Sequence, residues 1–169
     1  MNHMQKFMKD GKPTGKILFY SDFRSDAGSE AFELVLKSNG YSRFDGESRL
    51  TKKALRYTFI TGAESTDERT ISKKMFNDEE NKHGEYIQVI LISAAGAEGI
   101  SLKCVRQVHI LEPWYNINRI EQIVGRAIRF CSHAQLPFKE RNCEIYLYGT
   151  ALSNDMEAAD LYTYRLAEK

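Results

Sequence analysis

The residues best suited to chemistry lie in residues 122–129, which read QIVGRAIR. At about 100° per residue, Gln122, Arg126 and Arg129 fall within roughly 60° of one another on a helix. Ile117, Ile120, Val124, Ala127 and Ile128 fall broadly opposite. A helix patterned this way packs its apolar side on a sheet and presents two guanidiniums and an amide together. The guanidinium fork stays charged and donates bidentate hydrogen bonds, which suits phosphate. Two such groups converging on one anion stabilise the charge that develops during phosphoryl transfer. The same spacing also describes a solvated basic face, since arginine is a good helix former. Spacing alone does not separate the two.

A second segment, residues 93–102 (SAAGAEGISL), follows the most apolar stretch of the chain. Gly96 and Gly99 allow a sharp turn or close backbone approach to a ligand. Amides opening a following helix are candidates to bind phosphate. An ordinary strand–loop–helix turn would read the same way. Residues 11–16 (GKPTGK) imitate a phosphate-cradling loop but are one residue short of the required spacing. Ile17 stands where Ser or Thr is needed, and a strand follows rather than a helix, so a P-loop is excluded.

No Asp–Glu pair closes an apolar strand to hold Mg²⁺, and Glu79 and Glu80 read as solvated. His83, His109 and His133 share no metal-ligand spacing, so no metal site is expected. His109 reads as a satisfied core residue within a strand. Trp114 suits packing between elements, with base stacking as the other reading. Cys104, Cys131 and Cys143 form no CxxC pair and have no histidine near in sequence. That argues against a zinc site, a disulfide scaffold or a Cys/His nucleophile, and fits a reducing compartment.

The elements that must position these groups alternate. Strands are predicted over residues 16–20, 57–61, 88–93, 107–111 and 144–148. Helices are predicted over residues 26–39, from Ser65 or Thr66 to Phe76, over residues 116–130, and from Asn154 or Asp155 through Ala167. Residues 41–56 are polar and basic without a firm period, and read as an insertion or loop, partly helical around residues 50–55. The alternation gives an α/β fold with a mainly parallel sheet flanked by helices on both faces. Functional loops then leave the carboxyl ends of the strands, at Ser21, Gly62, Ser93 and Glu112.

With 169 residues the chain makes one domain. Its 42% hydrophobic and 28% charged residues exclude a disordered or fibrous chain. The longest aliphatic run is Val89–Ile92, too short to span a bilayer, and residues 1–10 are polar, so neither a membrane partner nor a secretory signal is expected. The net charge of +1 conceals local asymmetry. Residues 41–57 and 116–141 each carry five bases against two acids, whereas residues 62–85 carry four against seven. Local basic surfaces are therefore expected, but not a globally basic nucleic-acid-binding domain.

In order along the chain, KILFYS, ITGAESTDERTISKKMFN, LISAAGAEGISLKCVRQVHILEPWYN and QIVGRAIR resemble motif IV, the following conserved strand and helix, motif V and motif VI of superfamily 2 helicases. The chain is identified as resembling their second RecA-like domain over residues 16–149. AAGAEGISL and EPWYN lean toward the Swi/Snf-like branch. GRAIRFCSH resembles the nucleoside triphosphatase I-type helicases of large DNA viruses. The resemblance implies a single RecA-like domain over residues 16–169, preceded by a linker segment over residues 1–15.

It also implies roles. Arg126 and Arg129 match the arginine fingers that reach the γ-phosphate of ATP. Gln122 matches the glutamine that couples nucleotide to cleft. Glu98 and Gly99 match the part of motif V that faces the nucleotide. Ser21, Gly62 and Ser93 match strand-end contacts to a DNA or RNA backbone, which carry no sequence preference. Ser101 stands where many relatives have an acid, so a ribose contact is not implied. Ile123 departs from the arginine of the DEAD-box and DEAH groups. The phosphate-binding loop and the Mg²⁺-holding acids of this family belong to the first RecA-like domain. The chain is thus expected to be a fragment whose ATP site another domain completes, inactive by itself. Viral transcription machinery is an implied partner, and an intracellular setting, a cytoplasmic viral factory or the virion, is the implied location. A non-catalytic nucleic-acid-binding or scaffold module on the same fold is the main alternative. A stand-alone small-molecule transferase is disfavoured, since no convergent acid or nucleophile is visible.

Overall fold

The computed structural model describes residues 8–9, 12–25, 28–46, 54–97, 99–112, 117–150, 152 and 158–167. Strands β1 (Met8–Lys9) and β2 (Lys12–Pro13) form a small antiparallel hairpin. Six further strands make one sheet: β3 (Lys16–Tyr20), β4 (Ser42–Arg43), β5 (Arg56–Ile60), β6 (Val89–Ile92), β7 (Val105–Ile110) and β8 (Glu144–Leu147). Their spatial order is β4-β5-β6-β3-β7-β8, and every neighbouring pair is parallel. The expected mainly parallel sheet is thus wholly parallel across its described strands, as in a RecA-like domain. The chain crosses over β3 on passing from β6 to β7, which creates a topological switch point at the carboxyl edge.

Apart from Lys16, which opens β3, the two central strands are apolar because both of their faces are covered. Along β3 and β6, Leu18, Tyr20, Ile90 and Ile92 join one buried cluster, while Ile17, Phe19, Val89 and Leu91 join the other. Helix α1 (Ser29–Ser38) covers the second face with Leu36 and Phe32, whose ring stacks on Phe19 with centroids 3.8 Å apart. On the first face lie α2 (Thr66–Asn77), through Phe76, and α4 (Ile117–Ala127), through Ile120, Ile123 and Ala127. Helix α5 (Ala159–Ala167) adds Tyr164 there. Burial of each large aliphatic side chain contributes about 1.5–3 kcal/mol. A short helix, α3 (Ala94–Ala97), follows β6.

Ser65 starts α2 as its sequence suggests. Its side chain accepts from the Glu68 N–H, and the Glu68 carboxylate accepts from the Ser65 N–H in return. His109 is also the satisfied core residue expected. Nδ1 meets the Tyr148 hydroxyl at 2.7 Å, Nε2 meets Gln107 Oε1 at 3.1 Å, and the ring stacks on Tyr146.

Three expectations need correction. Residues 41–56 are not simply a loop: Ser42 and Arg43 form β4, with the Ser42 N–H donating to Leu55 O and the Phe44 N–H to Tyr57 O. Buried Tyr41 and Phe44 anchor it. Two apolar residues are too few to show a period, so the strand left no pattern. The partial helix expected at residues 50–55 falls mostly outside the described residues. Strand β7 begins at Val105, two residues early, because Val105 is itself core. Helix α4 stops at Ala127 rather than Phe130, for a reason given below. Lys12 lies in a strand and Lys16 opens β3, so GKPTGK has no helix to serve. Lys16 is fully buried, with Nζ donating to Phe76 O at 2.5 Å and lying over the Phe76 ring. Burial lowers its pKa to about 8.

Candidate nucleotide and nucleic-acid interface

Helix α4 buries Ile120, Ile123 and Ala127 and leaves Gln122 exposed and Arg126 part-buried. The Nε atom of Arg126 is buried and has no hydrogen-bond partner. Neither Arg126 nor Arg129 has a carboxylate partner among the described residues. Ile128, expected on the apolar side, is 43% exposed because the helix has ended before it. The ending is local. The Arg129 N–H donates to Ser132 Oγ at 3.2 Å, while the Arg129 Nε takes the Gly125 carbonyl at 2.7 Å. The side chain occupies the carbonyl that its own backbone N–H would have taken in a longer helix. Arg129 therefore lies past the helix, where the 100° spacing no longer places it, yet its side chain folds back on the last turn that carries Arg126.

The loop from β6 to β7 docks on this last turn. The Leu102 N–H donates to the Arg126 carbonyl at 2.8 Å. Asn77, the final residue of α2, grips the same loop twice: Nδ2 donates to Ser101 O and Oδ1 accepts from the Lys103 N–H, both at 2.8 Å. Gly99 is exposed and has φ of +67°, a conformation that favours glycine. Glu98 lies outside the described residues, as do residues 113–116 with Trp114. Near Gly62 and Ser93, the short helix α3 presses on the end of β5. A Cβ on Gly96 would sit 1.8 Å from Ile60 O, and one on Gly62 would meet the Ala95 Cβ at 3.4 Å. Gly62 is exposed, and Ser93 is 8% exposed.

Ser21 directly follows β3. Its side chain is wholly buried, with Oγ 2.7 Å from Glu112 Oε1, and the Asp22 N–H donates to the other Glu112 oxygen at 3.0 Å. Burial raises the Glu112 pKa, offset in part by these two donors. As folded, the Ser21 hydroxyl faces this carboxylate and not solvent. The strand end instead presents Asp22, which pairs with Arg119 of α4; Arg119 also donates to the Tyr20 hydroxyl at 3.2 Å. Arg119 stands one turn before Gln122 on the same helical stripe, so the spacing that picked out Gln122 and Arg126 would also have found it.

A second missed group lies at the ends of β3 and β5. Glu64, 7% exposed, accepts from the Thr61 N–H at 2.8 Å and the Thr61 hydroxyl at 2.6 Å. Arg24 lies 3.4 Å and Arg43 3.2 Å from its other oxygen. Burial alone would raise the Glu64 pKa, but the Thr61 donors and the Arg24 charge outweigh it and the net shift is downward. Nothing in the local sequence marks which carboxylate of this acidic stretch is buried. Among the described residues no group of three or more His, Cys, Asp or Glu is placed to hold a metal ion.

The loop that carries the left-handed Gly99 thus docks on the last turn of α4, the turn that carries Arg126 and takes the Arg129 guanidinium on its Gly125 carbonyl. Residues 1–131 match the family model described as helicase conserved C-terminal domain. The chain belongs to this family. It is 32% identical over 146 residues to a protein of Acanthamoeba polyphaga mimivirus named as an ATP-dependent RNA helicase, covering 86% of this chain and 17% of that one. It is 43% identical over 107 residues to the termination factor NPH-I homolog of African swine fever virus, covering 62% and 15%. A helicase of Invertebrate iridescent virus 3 is 34% identical over 161 residues, covering 92% and 16%. The chain thus spans less than a fifth of the length of these helicases. The C-terminal part of the Fun30 ATPase domain superposes with a TM-score of 0.63 at 20% identity, over 90% of this chain and 39% of that one, which shows the RecA-like fold. No described helix of this helicase domain is long and apolar enough to cross a membrane.

Proposed function

We propose that this helicase C-terminal domain is the second motor domain of an ATP-dependent nucleic-acid helicase or translocase. Its ATP site is completed by a first RecA-like domain elsewhere in the complete protein. The observation that carries the reading is the state of Arg126 and Arg129: two guanidiniums at one helix end, without a carboxylate among the described residues. Burying part of an arginine with Nε unpartnered is costly unless a ligand uses the charge. The γ-phosphate of ATP supplies the matching anion. As water attacks phosphorus and the bond to the β-phosphate oxygen breaks, the two arginines stabilise negative charge on the phosphoryl oxygens. Gln122, Glu98 and Gly99 face the same nucleotide. Mg²⁺ would be held by acidic residues of the other domain.

Gly62 and Ser93 meet the phosphate backbone of DNA or RNA at the carboxyl edge. Ser21 serves the same edge indirectly, by holding Glu112. The NPH-I homolog among the relatives supports viral transcription machinery as a partner, in the viral factory or virion. Arg126→Ala and Arg129→Ala, made singly in the complete protein, are each expected to lower nucleic-acid-stimulated kcat by about 10³-fold. A steady-state ATPase assay measures this, and unchanged turnover in both variants would sink the reading.

A further inference from the structure

Arg129 lies two residues beyond the last residue of α4, where a backbone is free unless something holds it. Here a directed chain of hydrogen bonds holds it. The His133 Nε2 lies 2.6 Å from the Val105 carbonyl oxygen at the start of β7. A carbonyl only accepts, so Nε2 carries the proton. In a neutral imidazole Nδ1 is then an acceptor, and the hydroxyl 2.8 Å away on Ser132 must donate to it. With its proton so committed, Ser132 Oγ offers its lone pairs to the Arg129 N–H at 3.2 Å. With the imidazole neutral, the direction of every bond follows from the carbonyl at the far end.

The platform under this chain is fixed as well. The Ser132 N–H donates to Arg129 O at 3.0 Å, and Ser132 O accepts from the Cys104 N–H at 2.8 Å. Cys131, between them, takes φ of +59°, a conformation the turn imposes on a non-glycine residue. Ser132 is buried, whereas the Arg129 side chain it serves is exposed. Without the Ser132 acceptor, the Arg129 N–H competes for the Gly125 carbonyl that the guanidinium Nε now occupies.

We infer that Ser132 and His133 are positioning residues for Arg129, whose backbone N–H they divert from the helix by a proton-ordered chain from the sheet, leaving the Gly125 carbonyl to its guanidinium. This rests on the reading of Arg129 as the phosphate-contacting arginine. The test is a double-mutant cycle on kcat in the complete protein, with Ser132→Ala, His133→Ala and Arg129→Ala alone and in pairs. Ser132→Ala and His133→Ala are expected to lower kcat by about tenfold with little change in KM, and to have no further effect once Arg129 is alanine. Effects that multiply with that of Arg129→Ala, or no effect of Ser132→Ala, would overturn the inference while leaving the arginine reading intact. If Arg129→Ala itself leaves kcat unchanged, the underlying reading fails instead. In the 169-residue chain, ¹⁵N chemical shifts are expected to show His133 as the Nε2–H tautomer, and an Nδ1–H tautomer would refute the chain of donors.

Discussion

Arg24 and Arg43 share one buried carboxylate, Glu64, whereas Arg126 and Arg129 meet none among the described residues. Both pairs lie on loops or element ends, and each member of the first pair also packs over the Phe59 ring. Charge alone does not tell them apart. What differs is the supply of partners. The first pair is closed: Glu64 and Glu30 take up Arg24, and the Thr61 donors complete Glu64. The second is held at the backbone and open at its tips. A closed pair contributes to folding, and an open one makes its charge available to a ligand.

That contrast can be broken most directly at Glu64. Glu64→Ala strands the buried Thr61 N–H, leaves the Arg43 guanidinium without its carboxylate and leaves Arg24 with Glu30 alone. We expect a loss of about 2 to 3 kcal/mol in urea unfolding of the 169-residue chain, discounted for the exposure of the arginines. Arg24→Ala removes one part-exposed partner and is expected to cost about 1 kcal/mol by the same measurement. Arg126→Ala should leave the isolated chain as stable as before or more so, since the unpartnered Nε is removed, and Arg129→Ala should alter its unfolding free energy by less than about 0.5 kcal/mol. A large loss of stability at Arg126 would mean that the second pair is structural too, and the contrast would vanish.

Acid titration sharpens the same point. The Glu64 pKa is depressed in the fold, so its contribution is present above the unfolded carboxylate value and is lost as pH falls through the folded one. The stability gap between the native chain and Glu64→Gln should therefore narrow as pH is lowered from 5 toward 3, followed by thermal unfolding. A gap independent of pH would show that the Glu64 charge contributes nothing.

The sequence made much of this fold legible. The apolar strands around Leu18 and Ile90 and the Ser65–Glu68 cap are local signals, and each lies where its pattern put it. The end of α4 was not legible, because the Arg129 N–H is diverted by Ser132 and the apolar period alone continues through Ile128. The dipeptide strand β4 depends on pairing with β5, a contact that no local period encodes. Among the candidate site residues, Arg126 and Gln122 followed from helical spacing. The burial of Ser21 did not, since its partner Glu112 is 91 residues away. Glu64 escaped for a similar reason: Arg24 reaches it from the segment after β3 and Arg43 from β4.

Asn77 has a mechanical consequence. Its one amide spans Ser101 and Lys103, and between them Leu102 is bonded to the Arg126 carbonyl. Three short links in series and parallel thus make a strut from the foot of α2 to the tip of α4. A tilt of either helix cannot be absorbed as slack in the intervening loop: the loop must travel along, or one of the links must snap.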